Sequence, residues 1–479
     1  MTSPPPIPSE PPSPVQAGEG CEPAVTAAAL TIQMRRDRKR LKDVQAELEV
    51  LRAKVLRMQS HPARIALMRA RRIRQRLTSP ISSLLQGFRT RAELPVAQEA
   101  PPHPLAELLP ASRGQVLVID DHWPQPDRDS GSVDIVNLIR CLGELGFDVL
   151  LAAARDHEDP SPARDALAAL GIHCLTMADA PSVETFLRDS GGSLDLCILC
   201  RVYCGGRFLE QVLRDAPQAR IVFNSIDLAF LREERRALQA GDEASLAAAG
   251  IVREREEAII RGSDATIVVS RAELELLARE IPEALVAELP LARPLAPPTA
   301  PFARRRGIGF IGGFAHVPNV DAIRHFLSAI WPLVLRDLPE VDMTIVGSDF
   351  PPGLLEGVPG RVRALGHLPD VGPWFEGLRL TVAPLTFGAG AKGKVASSLA
   401  AGVPCIATPV ATEGMSLRDG GGVLIAAEPE EFAARLREAY TDEALWGRLS
   451  AGGLAYAASH LSLDAWRARL NALLRTMAL

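Results

Sequence analysis

The sequence predicts an α/β protein made of two doubly wound domains that face each other across a cleft, behind a helical N-terminal extension. Three observations carry that prediction. From Gln115 onward, short apolar runs alternate with helical stretches, the texture of parallel strands covered on both faces. A Pro-rich segment, Pro290 to Pro301, interrupts the alternation, and a second series of the same kind follows it. Ahead of Gln115 the chain is a Pro-, Ser- and Gly-rich start followed by a helical repeat and a strongly basic stretch. At 479 residues the chain has room for about three domains with large cores.

Taken in order, residues 1–27 are expected to be a disordered tail, because they carry too few apolar side chains to bury. Leu41, Val44, Leu48, Leu51, Val55 and Met58 recur at alternating steps of three and four, the seam of a coiled coil. A helix over 28–61 follows from it, with Pro62 as its stop and 30–58 as a contact between copies in a homo-oligomer. Residues 62–90 form a basic helical segment whose part 63–77 suits peripheral contact with anionic lipid, or stands as a solvated basic helix. Residues 91–112 read as a linker.

The first α/β domain is placed at 113–292, with strands Val116–Ile119, Val149–Ala152, Leu196–Leu199, Ile221–Phe223 and Thr266–Val269 and a helix from Asp134 to Leu145. A hinge occupies 293–303. The second domain, 304–460, has strands Ile308–Ile311, Met343–Val346, Leu380–Ala383 and Pro404–Ala407 and a helix from Val395 to Ala401. A C-terminal helix over 461–479 ends the chain. Ligand is expected at the carboxyl ends of the strands, in the cleft.

Composition excludes several classes. A net charge of −5 gives no footprint for nucleic acid. No apolar run reaches the roughly 18 residues a bilayer span needs. The start Met1-Thr-Ser-Pro-Pro-Pro lacks the regions of a secretory signal, so a cytoplasmic location is expected. Seven cysteines in so long a chain do not make a disulfide scaffold. Cys197, Cys200 and Cys204 have partial metal-ligand spacing, but they fall in and just after a buried strand and lack a fourth ligand, so small core residues are the better reading and no metal site is assigned.

The most informative motif is Gly388-Ala-Gly390-Ala-Lys392-Gly393-Lys394-Val395, between an apolar run and a helical pattern. Glycines let backbone approach a ligand, and the free N–H groups of a helix start favour phosphate. As a P-loop the motif lacks the hydroxyl at Val395 that would hold Mg²⁺. As a dinucleotide fingerprint it lies far into the second domain, and Glu413, twenty residues beyond Gly393, comes several residues after the next strand has ended near Thr408.

A third reading joins the motif to its context. The residues are Phe310-Ile-Gly-Gly-Phe314, Pro318-Asn319, Ile345-Val-Gly-Ser348, Leu365-Gly-His367, Ala383-Pro-Leu-Thr-Phe-Gly-Ala-Gly390, Lys392-Gly-Lys-Val395, Leu399-Ala-Ala-Gly-Val-Pro404 and Ala411-Thr-Glu-Gly414. Together they resemble the donor-binding half of a family 4 (group 1) glycosyltransferase of the GT-B fold, which is two facing Rossmann-like domains. Ile119-Asp-Asp-His122, Asp127-Arg-Asp-Ser-Gly-Ser132 and Ile226-Asp-Leu228 resemble the matching first half, and the whole is similar to bacterial surface-polysaccharide enzymes.

The resemblance implies sugar transfer, with retention, from a nucleotide-diphosphate sugar to a hydroxyl of a glycan or lipid-linked acceptor. It implies no cofactor and no metal, and a place in the cytoplasm or on the inner face of the plasma membrane. Donor contacts fall on Gly312, Gly313, His367, Gly388, Gly390, Lys392, Gly393, Lys394, Ser397 and Glu413. Acceptor contacts fall on Asp127, Asp129 and Ser130, and catalytic roles on Asp129, Asp227 and Glu413. Helix capping is the alternative for each Asp. The chain departs from the family where two glutamates eight positions apart are usual, since Ala389 and Ser397 stand there. The Arg and Lys that many relatives carry after the first strand of this domain are missing from Gly312 to Asn319, and Ala229 stands where a histidine is common. Lys392 and Lys394 are expected to replace the missing positive charge. Two other classes stay open: a different sugar-nucleotide enzyme such as an epimerase, and a non-catalytic GT-B adaptor.

Overall fold

The structure, a computed structural model, describes residues 65–70, 72, 113–157 and 161–479. The expected tail, coiled coil and linker lie outside the described residues. So does most of the basic segment.

The first domain is a seven-stranded sheet: β1 (Gln115–Asp120), β2 (Asp148–Ala153), β3 (His173–Cys174), β4 (Leu196–Cys200), β5 (Arg220–Asn224), β6 (Ala265–Val268) and β7 (Val286–Glu288). The strands are all parallel, in the order β3-β2-β1-β4-β5-β6-β7. The second domain is a six-stranded parallel sheet of β8 (Arg306–Ile311), β9 (Asp342–Val346), β10 (Arg361–Gly366), β11 (Leu378–Ala383), β12 (Cys405–Ala407) and β13 (Val423–Ile425), in the order β10-β9-β8-β11-β12-β13. Each order reverses direction once, between β1 and β4 and between β8 and β11. At such a switch point the loops leaving the two strands part to opposite sides and open a crevice.

Alternation along the central strands sends side chains to both faces. Leu117 and Ile119 join one buried cluster of the first domain, and Val116 and Val118 the other. The same alternation parts the cysteines. Cys197 lies on the first face and Cys200 on the second, with Cys204 back on the first. Burial pushes the Cys197 thiol up to about 12 and the Cys200 and Cys204 thiols up as well, so all three stay protonated.

The helix expected from Asp134 begins four residues earlier, at Ser130, and runs to Glu144. Ser130-Gly-Ser132 has low helical propensity, but the Asp129 carboxylate caps the helix by accepting from Ser132 N (2.9 Å) and Ser132 Oγ (2.6 Å). The helix after the Gly-rich loop also starts early, at Gly393, and ends at Ala400. Its stop is a left-handed Gly402 (φ 61), with Gly402 N donating to Leu399 O and Val403 N to Ser398 O.

The C-terminal helix, Leu463–Thr476, crosses back to the first domain. Trp466, Leu470, Leu473, Leu474 and Met477 are buried in the same cluster as Val116, Ile135 and Leu138. Arg113 ties its end down, donating to Leu479 O (2.6 Å) and to Asn471 Oδ1 (3.3 Å). Two strands of chain therefore join the domains, and they touch where Arg293 N donates to Leu461 O (2.8 Å). Of the basic segment, Ile65 is buried against the first domain. Arg72 is also enclosed there, donating to Pro217 O (2.9 Å) and pairing with Asp264 (3.4 Å).

Candidate functional site

Both loops that leave the second sheet at its switch point are built to bring backbone close. After β8, Gly312 passes so near the loop after β9 that a Cβ on Gly347 (φ 151) would overlap the Gly312 carbonyl oxygen. Asn319 Nδ2 donates to Gly313 O (2.7 Å), and Lys394 Nζ donates to Asn319 Oδ1 (2.7 Å). Asn319 thus joins the Gly312–Gly313 turn to the start of helix Gly393–Ala400. The Lys394 ammonium also stands 5.4 Å from the centre of the Phe310 ring. Burial, with the Lys392 charge adding, pushes Lys394 down to about 7. The loop after β11 curls around Lys392, whose Nζ donates to Ala389 O (3.0 Å) and Gly390 O. Burial lowers Lys392 to about 8, and Glu273 and Glu413 partly oppose the shift. His316 sits among these cations and is held down to about 4 by burial, then by Arg232 and Lys394, so it is neutral at pH 7.

The facing wall comes from the loop after β5. Ile226 is left-handed (φ 67), a costly state for a β-branched side chain, on the order of 1–3 kcal/mol. Its neighbours hold it there. Leu228 N donates to Glu273 Oε1 (2.9 Å), and Ala229 N and Phe230 N donate to the Glu256 carboxyl (3.3 and 3.0 Å). These bonds fix Asp227 beside the start of helix Ala229–Ala240, where it pairs with Arg232. One turn on, Arg235 reaches across the cleft. It binds the Glu413 carboxylate through both terminal nitrogens, Nη2 to Oε1 at 2.7 Å, and donates to Gly388 O (2.7 Å). A second bridge pairs His367 Nε2 with Asp127 Oδ2 (3.0 Å).

Residues 305–442 match the model of the family described as Glycosyl transferases group 1. No curated protein matches the chain. Solved structures do, at low identity. Sucrose-phosphate synthase from Thermosynechococcus elongatus superposes with a TM-score of 0.59 at 15% identity, over 76% of this chain and 99% of that one. TarM gives 0.60 at 9% identity, over 76% and 99%. HepE of Anabaena, solved with UDP and glucose, gives 0.55 at 13%, over 76% and 100%. The second domain is a group 1 glycosyltransferase domain, and the whole has the GT-B fold.

Within this GT-B fold the expected site residues fall into three groups. Gly312, Gly313, Gly388, Gly390, Lys392, Gly393 and Lys394 come together at the switch point of the second sheet, with Asp227 and Glu413 at its edge; Ser397 lies one turn into the helix Gly393–Ala400. His367 and Asp127 meet at the second bridge. Asp129 is turned into its own helix as the cap described above. Ser130 instead faces the opposite domain, accepting from Arg293 Nη2 and standing where a Cβ on Gly393 would overlap its oxygen. Gly390 (φ 68) is similarly hemmed in, since a Cβ there would lie 3.2 Å from Asp227 Cβ. The backbone approach that these glycines permit is, in this structure, the approach of one domain to the other.

Sequence reasoning passed over Arg232, Arg235, His316 and the role of Asn319. A signal for the first two exists. Arg232 and Arg235 are three apart on a helix that opens at the carboxyl end of β5, so both project from one face toward the cleft.

Proposed function

We propose that this glycosyltransferase moves a sugar, with retention, from a nucleotide-diphosphate sugar to a hydroxyl acceptor in the synthesis of a polysaccharide or other glycoconjugate. The observation that carries the reading is the pair Lys392 and Lys394, both with depressed proton affinity, between two glycine loops at the switch point. A diphosphate supplies the negative charge that these groups lack. The first-turn amides of helix Gly393–Ala400 have no side-chain cap and add their dipoles to the same spot. Solved relatives support the donor class, HepE having been captured with UDP and glucose.

The donor's anomeric C–O bond breaks as the acceptor oxygen bonds to the same face of the sugar, through an oxocarbenium-like state. The diphosphate leaves with the electron pair, takes up the proton of the acceptor hydroxyl, and is stabilised by Lys392, Lys394 and the loop amides. No metal is needed where two ammonium groups and a helix start take up that charge. Gly312 and Gly313 pass the diphosphate, His367 marks the side of the base, and Ser397 the ribose. Glu413 meets the sugar or ribose. Asp127 and Ser130 line the acceptor side with Asp227, and Asp129 serves that wall as the cap of its helix. Cytoplasmic placement with peripheral lipid contact through 63–77, and self-association through 30–58, complete the reading; no helix among the described residues is long and apolar enough to cross a membrane. Ile65 and Arg72 are already committed to the first domain and are not part of that lipid contact.

A non-catalytic adaptor is the second reading, favoured by Ala389 in place of a glutamate and by Glu413 being taken up by Arg235. A thermal-shift panel of UDP-, GDP- and ADP-sugars beside NAD, NADP and ATP separates the two. A ligand at one hundred times its Kd adds about 2.7 kcal/mol of stability. One sugar nucleotide should raise the midpoint, and the double substitution Lys392→Ala, Lys394→Ala should abolish the rise. Silence across the panel selects the adaptor, and a response to NAD alone refutes both.

A further inference from the structure

We propose that Arg235 is a positioning residue: supplied by the first domain, it holds Glu413 and the Gly-rich loop of the second, so that the donor site is complete only in the closed molecule. The inference rests on the sugar-nucleotide reading above. Arg235 presents a planar fork to the Glu413 carboxylate, with Nη2 to Oε1 at 2.7 Å and Nη1 on the other oxygen. The same Nη1 donates to the carbonyl of Gly388, the first glycine of the motif, at 2.7 Å. One guanidinium therefore spans two separate loops of the opposite domain, which a lysine ammonium, a single point charge, would not do with the same geometry.

Two further features show that this edge is shaped for contact between the domains. Gly414 (φ 72) follows Glu413 directly, and a Cβ there would lie 2.5 Å from Ser270 Cβ in the first domain. The Arg271 amide donates to Gly414 O at 3.0 Å, a backbone bond across the cleft. On the Arg235 side, the two buried glutamates, Glu256 and Glu273, anchor the start of helix Ala229–Ala240. Arg235 thus projects from a fixed base onto both loops. Glu413, whose carboxylate Arg235 pairs with, also acts on the Lys392 ammonium, and Arg235 opposes it there.

Hydrogen exchange followed by mass spectrometry on the full chain, without ligand, tests the contact. Arg235→Gln should speed exchange at least tenfold in the segments 386–394 and 409–416 while the strands 116–119 and 343–346 stay protected, which shows that the fold is intact. The reversed pair, Arg235→Glu with Glu413→Arg, should restore protection in 409–416 but not in 386–394, where a glutamate cannot donate to Gly388 O. Gly414→Ala, which blocks the approach without touching the ion pair, should reproduce the loss. Unchanged exchange in Arg235→Gln overturns the proposal, as does a reversed pair no better in 409–416 than either single change. Calorimetry with UDP, GDP and ADP then asks whether the contact serves the donor. The nucleotide that binds the parent protein should bind Arg235→Gln at least tenfold more weakly, and equal affinity refutes the positioning role. If the parent binds none of the three, the donor reading fails, and exchange alone judges whether Arg235 holds the loops.

Discussion

Lys394 is held by an amide oxygen and an aromatic face rather than by a carboxylate, and its proton affinity reflects that. With Lys394 near 7 and Lys392 near 8, the empty site at pH 8 carries much less than two positive charges. A bound diphosphate stabilises both ammonium forms and draws their affinities back toward the ordinary lysine value. Binding at pH 8 should therefore take up about one proton, read as a dependence of calorimetric enthalpy on the ionisation enthalpy of the buffer. Lys394→Met should remove most of that uptake. Binding without proton exchange would place the diphosphate elsewhere. The shift has a second consequence for the ligand-free protein. The unfolded chain keeps protons on these lysines that the folded chain has lost, so their contribution to stability improves as pH rises from about 7 toward the ordinary lysine value.

At the scale of elements, the two helices that frame Asp227 depend on buried carboxyls. Glu256 caps the start of helix Ala229–Ala240 from below, and Glu273 sits in the first turn of helix Arg271–Glu280, reaching back to Leu228 N. Burial raises Glu256 to about 8 and Glu273 to about 7. The folded chain thus holds protons that the unfolded chain releases above its ordinary glutamate value. Their stabilisation is complete below that value and is lost as pH rises through 7 to 8. Glu256→Gln with Glu273→Gln should flatten the stability profile between pH 5 and 8, measured by urea unfolding. A profile with the same slope in parent and variant would show that these carboxyls do not titrate in that window.

Nine of the strands were legible in the sequence because each is a buried run such as Val116–Ile119 or Met343–Val346. The four that were not have physical reasons. β3, β7 and β13 are two or three residues long, too short to show a period. β10, Arg-Val-Arg-Ala-Leu-Gly, is an edge strand that leaves most of its side chains exposed and so carries no apolar run. The glycine loops and lysines were legible as local spacing. The Arg235–Glu413 contact was not, since its partners are 178 residues apart and belong to different domains. Nor was the capping role of Asp129 separable in advance from a role in the cleft, because an Asp before a helix serves either purpose.

Across the whole molecule, the first domain is built from two separate stretches of chain, 113–292 and the returning helix Leu463–Thr476. Trp466 lies beyond the entire second domain in sequence and yet is buried in the first. Trp466→Ala should cost the first domain about 3–5 kcal/mol, the usual range for removing a buried aromatic side chain, and leave the second domain's unfolding in place. Denaturant unfolding followed by exchange in strands 116–119 and 343–346 would assign the loss, and equal losses in both sheets would contradict the assignment. The same arrangement sets an order of events during synthesis. When Ala292 has emerged from a ribosome, the first sheet is complete but the face that awaits Trp466, Leu470 and Leu473 is bare. Making the intervening chain of about 170 residues takes on the order of 10–30 s. For that interval the nascent first domain carries an apolar surface that, among the described residues, its own last helix covers, which makes it a natural client for a chaperone until translation is nearly done.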